Sequence, residues 1–152
     1  MSEKAADDKI ADDKTGIDRE QVVALIHRWF EDYWNARRDD VLDDLICEDC
    51  RQVDITEPEE NDRGTWMGRL AAVRSAMPDI RFTVRDVLVE GNRAAASWQA
   101  VGTHTGEGLG VPPTGRSFSV AGMGIVTVVG GRLAHIQEIW DRPGLMRQLG
   151  LG

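Results

Sequence analysis

An α+β domain is what this 152-residue chain predicts, on three observations. Apolar residues recur at helical spacing in the first half, glycine-bounded runs of β-branched and apolar residues fill the second, and one long strand carries small residues along a single face. Helices followed by a meander of antiparallel strands describe an α+β architecture. If the sheet bends around the helices, the result is a cone with a blind apolar pocket.

One domain is expected over residues 17–152, since domains cluster near ~100–150 residues. The segment 1–16 mixes Asp and Glu with Lys and holds little apolar side chain beyond Ile10, so it reads as a disordered acidic tail. With 41% hydrophobic residues the remainder can bury an ordinary core. A net charge of -8 argues against nucleic acid and anionic membranes, which select basic faces. No apolar run approaches the ~18 residues of a membrane span, and the N-terminus lacks the order of a signal peptide, so a cytoplasmic protein is expected.

Asp18 opens the first helix, with Gln21 placed to complete a capping box. Val22, Leu25, Ile26, Trp29, Phe30 and Tyr33 recur at helical spacing, and Trp34 and Asn35 continue the same long helix. Two uses fit this aromatic stripe, a core or one wall of a pocket formed by Trp29, Tyr33 or Trp34. A shorter helix should carry Val41, Leu42, Leu45 and Ile46 inward. Cys47 and Cys50 form a lone Cys-x-x-Cys; no second ligand pair completes a zinc site, and Glu48 and Asp49 oppose the low thiol pKa of a redox pair, so the pair reads as structural.

Arg51 to Thr56 reads as a short strand with Val53 and Ile55 on one face and Gln52, Asp54 and Thr56 on the other. Glu57 to Asp62 follows as an acidic loop. A helix over about Thr65 to Ala76 presents Trp66, Leu70 and Val73, and ends at Met77-Pro78.

Strands fill the rest. Ile80 to Glu90 and Arg93 to His104 pair through a Gly91-Asn92 turn. One face of the second strand carries Ala94, Ala96, Trp98, Ala100, Gly102 and His104, either the wall of a cavity ending in an imidazole or a seat for a close helix. The glycine- and proline-rich Thr105 to Gly115 is a long loop; it lacks the lysine and the strand-to-helix context of a phosphate loop. Arg116 to Val129 is a strand expected to bend at Gly122 and Gly124. After Gly130-Gly131 the last strand should place Ala134, Ile136, Glu138 and Trp140 on one face and Leu133, His135, Gln137 and Ile139 on the other.

Glu138 therefore sits among apolar neighbours, where a carboxylate must be paired, hydrogen-bonded or protonated. Either it exchanges protons with a substrate or it is half of a buried pair that fixes sheet register. His104, at a strand end beside a loop, is the best-placed imidazole to work with it. Asp141, followed by Pro143, reads better as the cap of the last helix than as a third catalytic group. Asp54 and Arg116 reach a cavity mouth or pair in solvent; Trp66, Trp98 and Trp140 are walls.

Several stretches taken together identify a family. His104-Thr105-Gly106-Glu107, Gly110-Val111-Pro112-Pro113-Thr114-Gly115-Arg116, Gly131-Arg132-Leu133 and Asp141 through Gln148-Leu149-Gly150 resemble the SnoaL-like polyketide cyclases, as do Tyr33-Trp34-Asn35 and Ala76-Met77-Pro78-Asp79-Ile80. The resemblance spans roughly Asp18 to Gly150. It implies a nuclear transport factor 2-like cone, with N-terminal helices packed in a strongly bent mixed or antiparallel sheet. It also implies a homo-oligomer, dimer or tetramer, built through the outer sheet face, and a site that needs no cofactor or metal and takes a hydrophobic small molecule.

In the family's cyclase branch an aspartate on the last strand acts as acid and base in an intramolecular aldol closure. Counting from Gly131-Arg132 puts Glu138 there. The chain departs from that pattern by having glutamate, and by having Gly122 and Gly124 where a histidine would stand. The resemblance thus implies tailoring of an aromatic, anthracycline-type polyketide in antibiotic biosynthesis. Its alternatives are the family's hydroxylases, which work with a partner reductase, and a non-catalytic domain that binds small molecules or dimerises.

Overall fold

The computed structural model describes residues 18–57 and 59–152; the tail expected over residues 1–16 lies outside them. Helix α1 (Arg19–Arg28) starts with the capping box expected from sequence: Asp18 accepts from the Gln21 backbone N–H, and the Gln21 side chain accepts from that of Asp18, both at 2.9 Å. Instead of continuing as one α-helix, the chain widens over Trp29–Asn35 into a π-helix, whose Ala36 N–H reaches the Glu31 carbonyl at 2.8 Å. Trp29, Phe30, Tyr33 and Trp34 are all buried on this segment. Asn35 ends it by clasping Phe82, donating to its carbonyl at 2.9 Å and accepting from its N–H at 2.8 Å. That clasp fixes the aromatic segment against the sheet.

A 3-10 turn (Asp39–Val41) leads to the short α2 (Leu42–Leu45), and Ile46 belongs to the strand that follows. Strand β1 (Ile46–Asp54) begins five residues before the expected Arg51 and includes both cysteines. Both thiols are free. Burial pushes the pKa of the Cys50 thiol up to about 12, which keeps it protonated and unreactive. The acidic loop also contains a strand, β2 (Glu60–Asp62), paired antiparallel with β1 so that Gln52 faces Asn61. Backbone bonds hold this pair, which explains why no apolar alternation announced it.

Helix α3 (Arg63–Ala76) is capped by Asp62, which accepts from the Thr65 N–H at 2.8 Å. Strands β3 (Arg81–Glu90), β4 (Arg93–Thr103), β5 (Ser117–Val129) and β6 (Arg132–Trp140) form the expected meander. The six strands make one mixed sheet in the order β2-β1-β6-β5-β4-β3, where β1 and β6 run parallel and every other pair antiparallel. Helix α4 (Arg142–Leu149) closes the chain, ended by Gly150 at a φ of 77°.

One irregularity corrects the expected facing of β6. Val128 pairs with Leu133 and Thr127 with His135, leaving Ala134 as an extra residue. This bulge reverses the alternation, so Leu133 as well as Ile136 is buried, at 2% and 4% exposure. Beyond the bulge the expected phase holds, and Ile136, Glu138 and Trp140 face inward with Ala94, Ala96 and Ala100 of β4.

Candidate active site

Between the aromatic segment, α3, α4 and the concave side of the sheet lies a cavity of about 280 Å³. Trp29, Trp34, Trp66, Trp98 and Trp140 all contribute to its wall, with aliphatic residues such as Leu70 and Val73 from α3 between them. Trp29 stacks on Trp66 with centroids 5.3 Å apart, and Phe82 meets Trp98 edge-on at 5.3 Å. Among the described residues, Glu138 is the single carboxylate lining the cavity, and Arg142 at the start of α4 the single cation.

Cross-strand rows explain how these side chains fit. Trp98, Gly122 and Trp140 share one row, while Ala96, Gly124 and Glu138 share the next but one. A Cβ at Gly122 would collide with the Trp98 indole and stand 2.8 Å from the Trp140 Cβ; one at Gly124 would stand 3.2 Å from the Glu138 Cβ. The two glycines, expected to bend the strand, clear space for the large side chains on either side of it.

The carboxyl of Glu138 is reached from the opposite direction by amides. Gln52 on β1 donates from Nε2 to Glu138 Oε1 at 3.0 Å, and Asn61 on β2 donates from Nδ2 to Gln52 Oε1 at 2.9 Å. Gln52 and Asn61 are 5% and 7% exposed. Burial pushes the Glu138 pKa up to about 7; the Gln52 hydrogen bond works against that rise, and the charge of Asp54, its ladder neighbour, adds to it. Such a group is divided between acid and base near neutrality, which suits it to take a proton and return it.

Other expected site residues stand elsewhere. His104 does not line the cavity: Ala96 occupies Glu138's row, and His104 lies eight residues further along, ~25 Å of strand. It is fully buried, with Nδ1 accepting from the Thr114 N–H at 3.2 Å and lying 3.1 Å from Thr114 Oγ1, so it anchors the proline-rich loop to the end of β4. The inward phase of β4 was right; the strand simply outruns the cavity. Tyr33 is buried behind the wall, stacked on Trp29 at 4.6 Å and covered by the Arg74 guanidinium at 4.6 Å. Arg116 is exposed beside Gly150, away from the cavity.

Asp54 accepts from Thr56 at 2.9 Å, and with Asp141 it lines a separate outer groove. Asp141 caps α4, accepting from the Gly144 N–H at 2.9 Å, and takes no part in the cavity wall. Three residues escaped sequence reasoning. Gln52 was hidden as an uncharged amide on the polar face of β1, and Asn61 because it lies in what reads as an acidic loop. Arg142 lies beside the cap; its guanidinium sits 5.5 Å from the centroid of the Trp140 ring and 3.7 Å from Glu57.

The sequence model of the SnoaL-like polyketide cyclases matches residues 24–149. The chain belongs to the SnoaL-like polyketide cyclase family. Among its relatives is the aklanonic acid methyl ester cyclase AcmA of Streptomyces galilaeus, 29% identical over 140 residues, covering 84% of this chain and 90% of AcmA. The crystal structure of IdmH, a candidate polyketide cyclase from Streptomyces antibioticus, is 30% identical with a TM-score of 0.75, over 86% of this chain and 99% of that one. AclR of Streptomyces galilaeus, a candidate hydroxylase, matches at a TM-score of 0.80 and 21% identity over 89% and 88% of the two chains. That likeness establishes the fold, the nuclear transport factor 2-like cone, whose six-stranded mixed sheet is open here at β2 and β3. In this SnoaL-like chain the cone's interior is the aromatic cavity, and Glu138 is the carboxylate that lines it among the described residues.

Proposed function

We propose that this protein closes a ring in a hydrophobic aromatic polyketide of the anthracycline type by an intramolecular aldol reaction, with Glu138 as base and then acid. The observation that carries this reading is a single carboxylate, its pKa raised to about 7, in the wall of an otherwise aromatic and aliphatic cavity. AcmA, named for cyclising aklanonic acid methyl ester, supports the substrate class.

In the reaction, the Glu138 carboxylate takes a proton from the carbon next to a ketone. The enolate carbon attacks a second carbonyl of the same molecule, one carbon–carbon bond forms, and the resulting alkoxide recovers the proton from Glu138. No electrons leave or enter, so no oxidant is required. The indoles of Trp98 and Trp140 offer flat faces to a polycyclic substrate. The apolar wall strengthens interactions at the developing charge.

Glu138→Gln tests the assignment. It keeps the shape and the Gln52 contact and removes the titrating group, so turnover should fall at least ~10³-fold with the circular dichroism spectrum unchanged. Turnover within tenfold of wild type would sink the assignment. One observation keeps a hydroxylating reaction in view: among the described residues, no imidazole stands in the cavity wall opposite Glu138. Oxygen uptake coupled to product formation would identify that reaction, since aldol closure consumes none.

The outer face of the sheet supports a homo-oligomer. Leu88, Val101, Met123 and Ile139 project from it with 38–70% exposure, an apolar area that a second copy of the chain would cover. Sedimentation equilibrium should give at least twice the chain mass; a monomer at micromolar concentration would refute it.

A further inference from the structure

The hydrogen bonds behind Glu138 have a direction. An ionised carboxylate only accepts, so Gln52 must turn its NH₂ toward Glu138, which leaves its carbonyl oxygen pointing the other way. There Asn61 meets it with its own NH₂, at 2.9 Å. Three strands, β2, β1 and β6, are thus linked by donors in series toward one oxygen of Glu138. Both amides are more than nine-tenths buried. Amides in such a place are costly unless their bonds are satisfied, and an apolar pair could have filled the same space.

We propose that Gln52 and Asn61 are positioning residues of the Glu138 site: acting in series, they anchor Oε1 and leave Oε2 as the oxygen that exchanges protons with the substrate. The proposal rests on Glu138 being the proton-transfer group. It accounts for why β2 exists at all within an acidic loop, because Gln52 and Asn61 are register partners in the short β1–β2 ladder. It also makes the orientation of the Gln52 amide, and not only its presence, the controlling feature. With NH₂ toward Glu138 the amide favours the carboxylate. Reversed, it would offer an oxygen and favour the protonated acid.

The substitution Asn61→Asp would impose that reversal. An aspartate has the shape of asparagine and only accepts, so Gln52 would turn its NH₂ toward it and its oxygen toward Glu138. The other charged groups near the carboxyl are few. Asp54 lies beside it on β1, Arg142 stands at the cavity edge on α4, and His135 on β6 pairs with Glu60 on β2 at 3.5 Å. The parts of the π-helix and α3 that line the cavity are neutral.

The test is a ¹³C NMR titration of the Glu138 carboxyl in the ligand-free protein, its resonance assigned by its loss in Glu138→Gln. Asn61→Asp should raise the midpoint by about one pH unit or more. Gln52→Met, which fills the space without donating, should raise it as well, and provides the measurement if Asn61→Asp does not fold. In the Gln52→Met background, Asn61→Asp should have less than half its effect, because the amide that transmits it is gone. The rising limb of the pH–rate profile should move by the same amount as each midpoint. Midpoints within ~0.3 unit of wild type in folded variants would overturn the proposal, and so would an Asn61→Asp shift that survives Gln52→Met undiminished, which would be through-space charge. A titration that shifts as expected while the rate limb stays put would leave the anchoring intact and remove Glu138 from the chemistry.

Discussion

Glu138 and His104 are both polar side chains withdrawn from bulk water on inward-facing positions of the same sheet, and they live in opposite circumstances. His104 is enclosed by packed protein, and its bonds run to one loop residue, Thr114, through Nδ1. Because Nδ1 accepts from a backbone N–H, the ring proton belongs on Nε2, which has no partner among the described residues. Glu138 is held by Gln52 at one oxygen and opens on a cavity. Burial makes either group expensive. Only open space beside it makes the group available to a substrate; the cavity supplies that space next to Glu138, while Gly122 and Gly124 make room for the Trp98, Trp140 and Glu138 side chains that wall it.

The largest effect expected from this contrast is a pH-dependent stability difference at Glu138. Its folded pKa lies above that of an unfolded glutamate, so the native state holds its proton over a range where the unfolded chain has released it. Stability from this group is therefore full at about pH 4 and is lost as pH rises to about 7. Ionising the folded group at pH 8 costs at most about 3 kcal/mol. Glu138→Gln removes the titration. Urea unfolding should show the variant equal to wild type near pH 4 and more stable by up to that amount at pH 8. Parallel pH profiles for the two proteins would contradict the raised pKa.

His104→Ala should show the reverse division between stability and activity. Loss of the ring leaves a void and an unpaired Thr114 N–H, a cost of about 2 kcal/mol. Turnover per folded molecule should stay within threefold of wild type, because the ring stands outside the cavity. A hundredfold loss of kcat in a folded His104→Ala protein would show that the end of β4 takes part in the chemistry.

The two residues also mark what the chain made legible. Local chemistry was readable: the Asp18–Gln21 box, the Gly-Gly turn before β6, the Pro143 helix start and the inward alanines all act within a few positions of one another. So was the facing of Glu138, which follows from period two counted back from Trp140. What depends on pairing across the sheet was not. The distance between His104 and Glu138 is set by strand register, the burial of Leu133 by a bulge at Ala134, and the Gln52–Asn61 bond by a strand lying within an acidic run. A polar residue on an alternating strand looks solvent-facing until its partner is known, and here the partner was another polar residue. The π-helical widening at Trp29–Asn35 has no signal in an aromatic pattern that an α-helix would fit equally well.

Asp141 offers the smallest expected effect and the cleanest separation of structure from chemistry. It lies three residues beyond Glu138, and both its motif and its carboxyl invite a catalytic role, yet its Oδ1 accepts from the Gly144 N–H at the start of α4. Capping needs a side-chain oxygen and no charge, which asparagine supplies as well as aspartate does. Asp141→Asn should therefore keep turnover within about threefold of wild type and stability within about 0.5 kcal/mol. Asp141→Ala loses the cap and should cost about 1 kcal/mol in urea unfolding, with some loss of turnover because α4 carries Arg142, Leu145 and Met146 into the cavity wall. If the asparagine variant is as impaired as the alanine variant in turnover while matching wild type in stability, the charge of Asp141 acts on the reaction through the Trp140–Arg142 edge of the cavity, and Glu138 shares the site with a second acid.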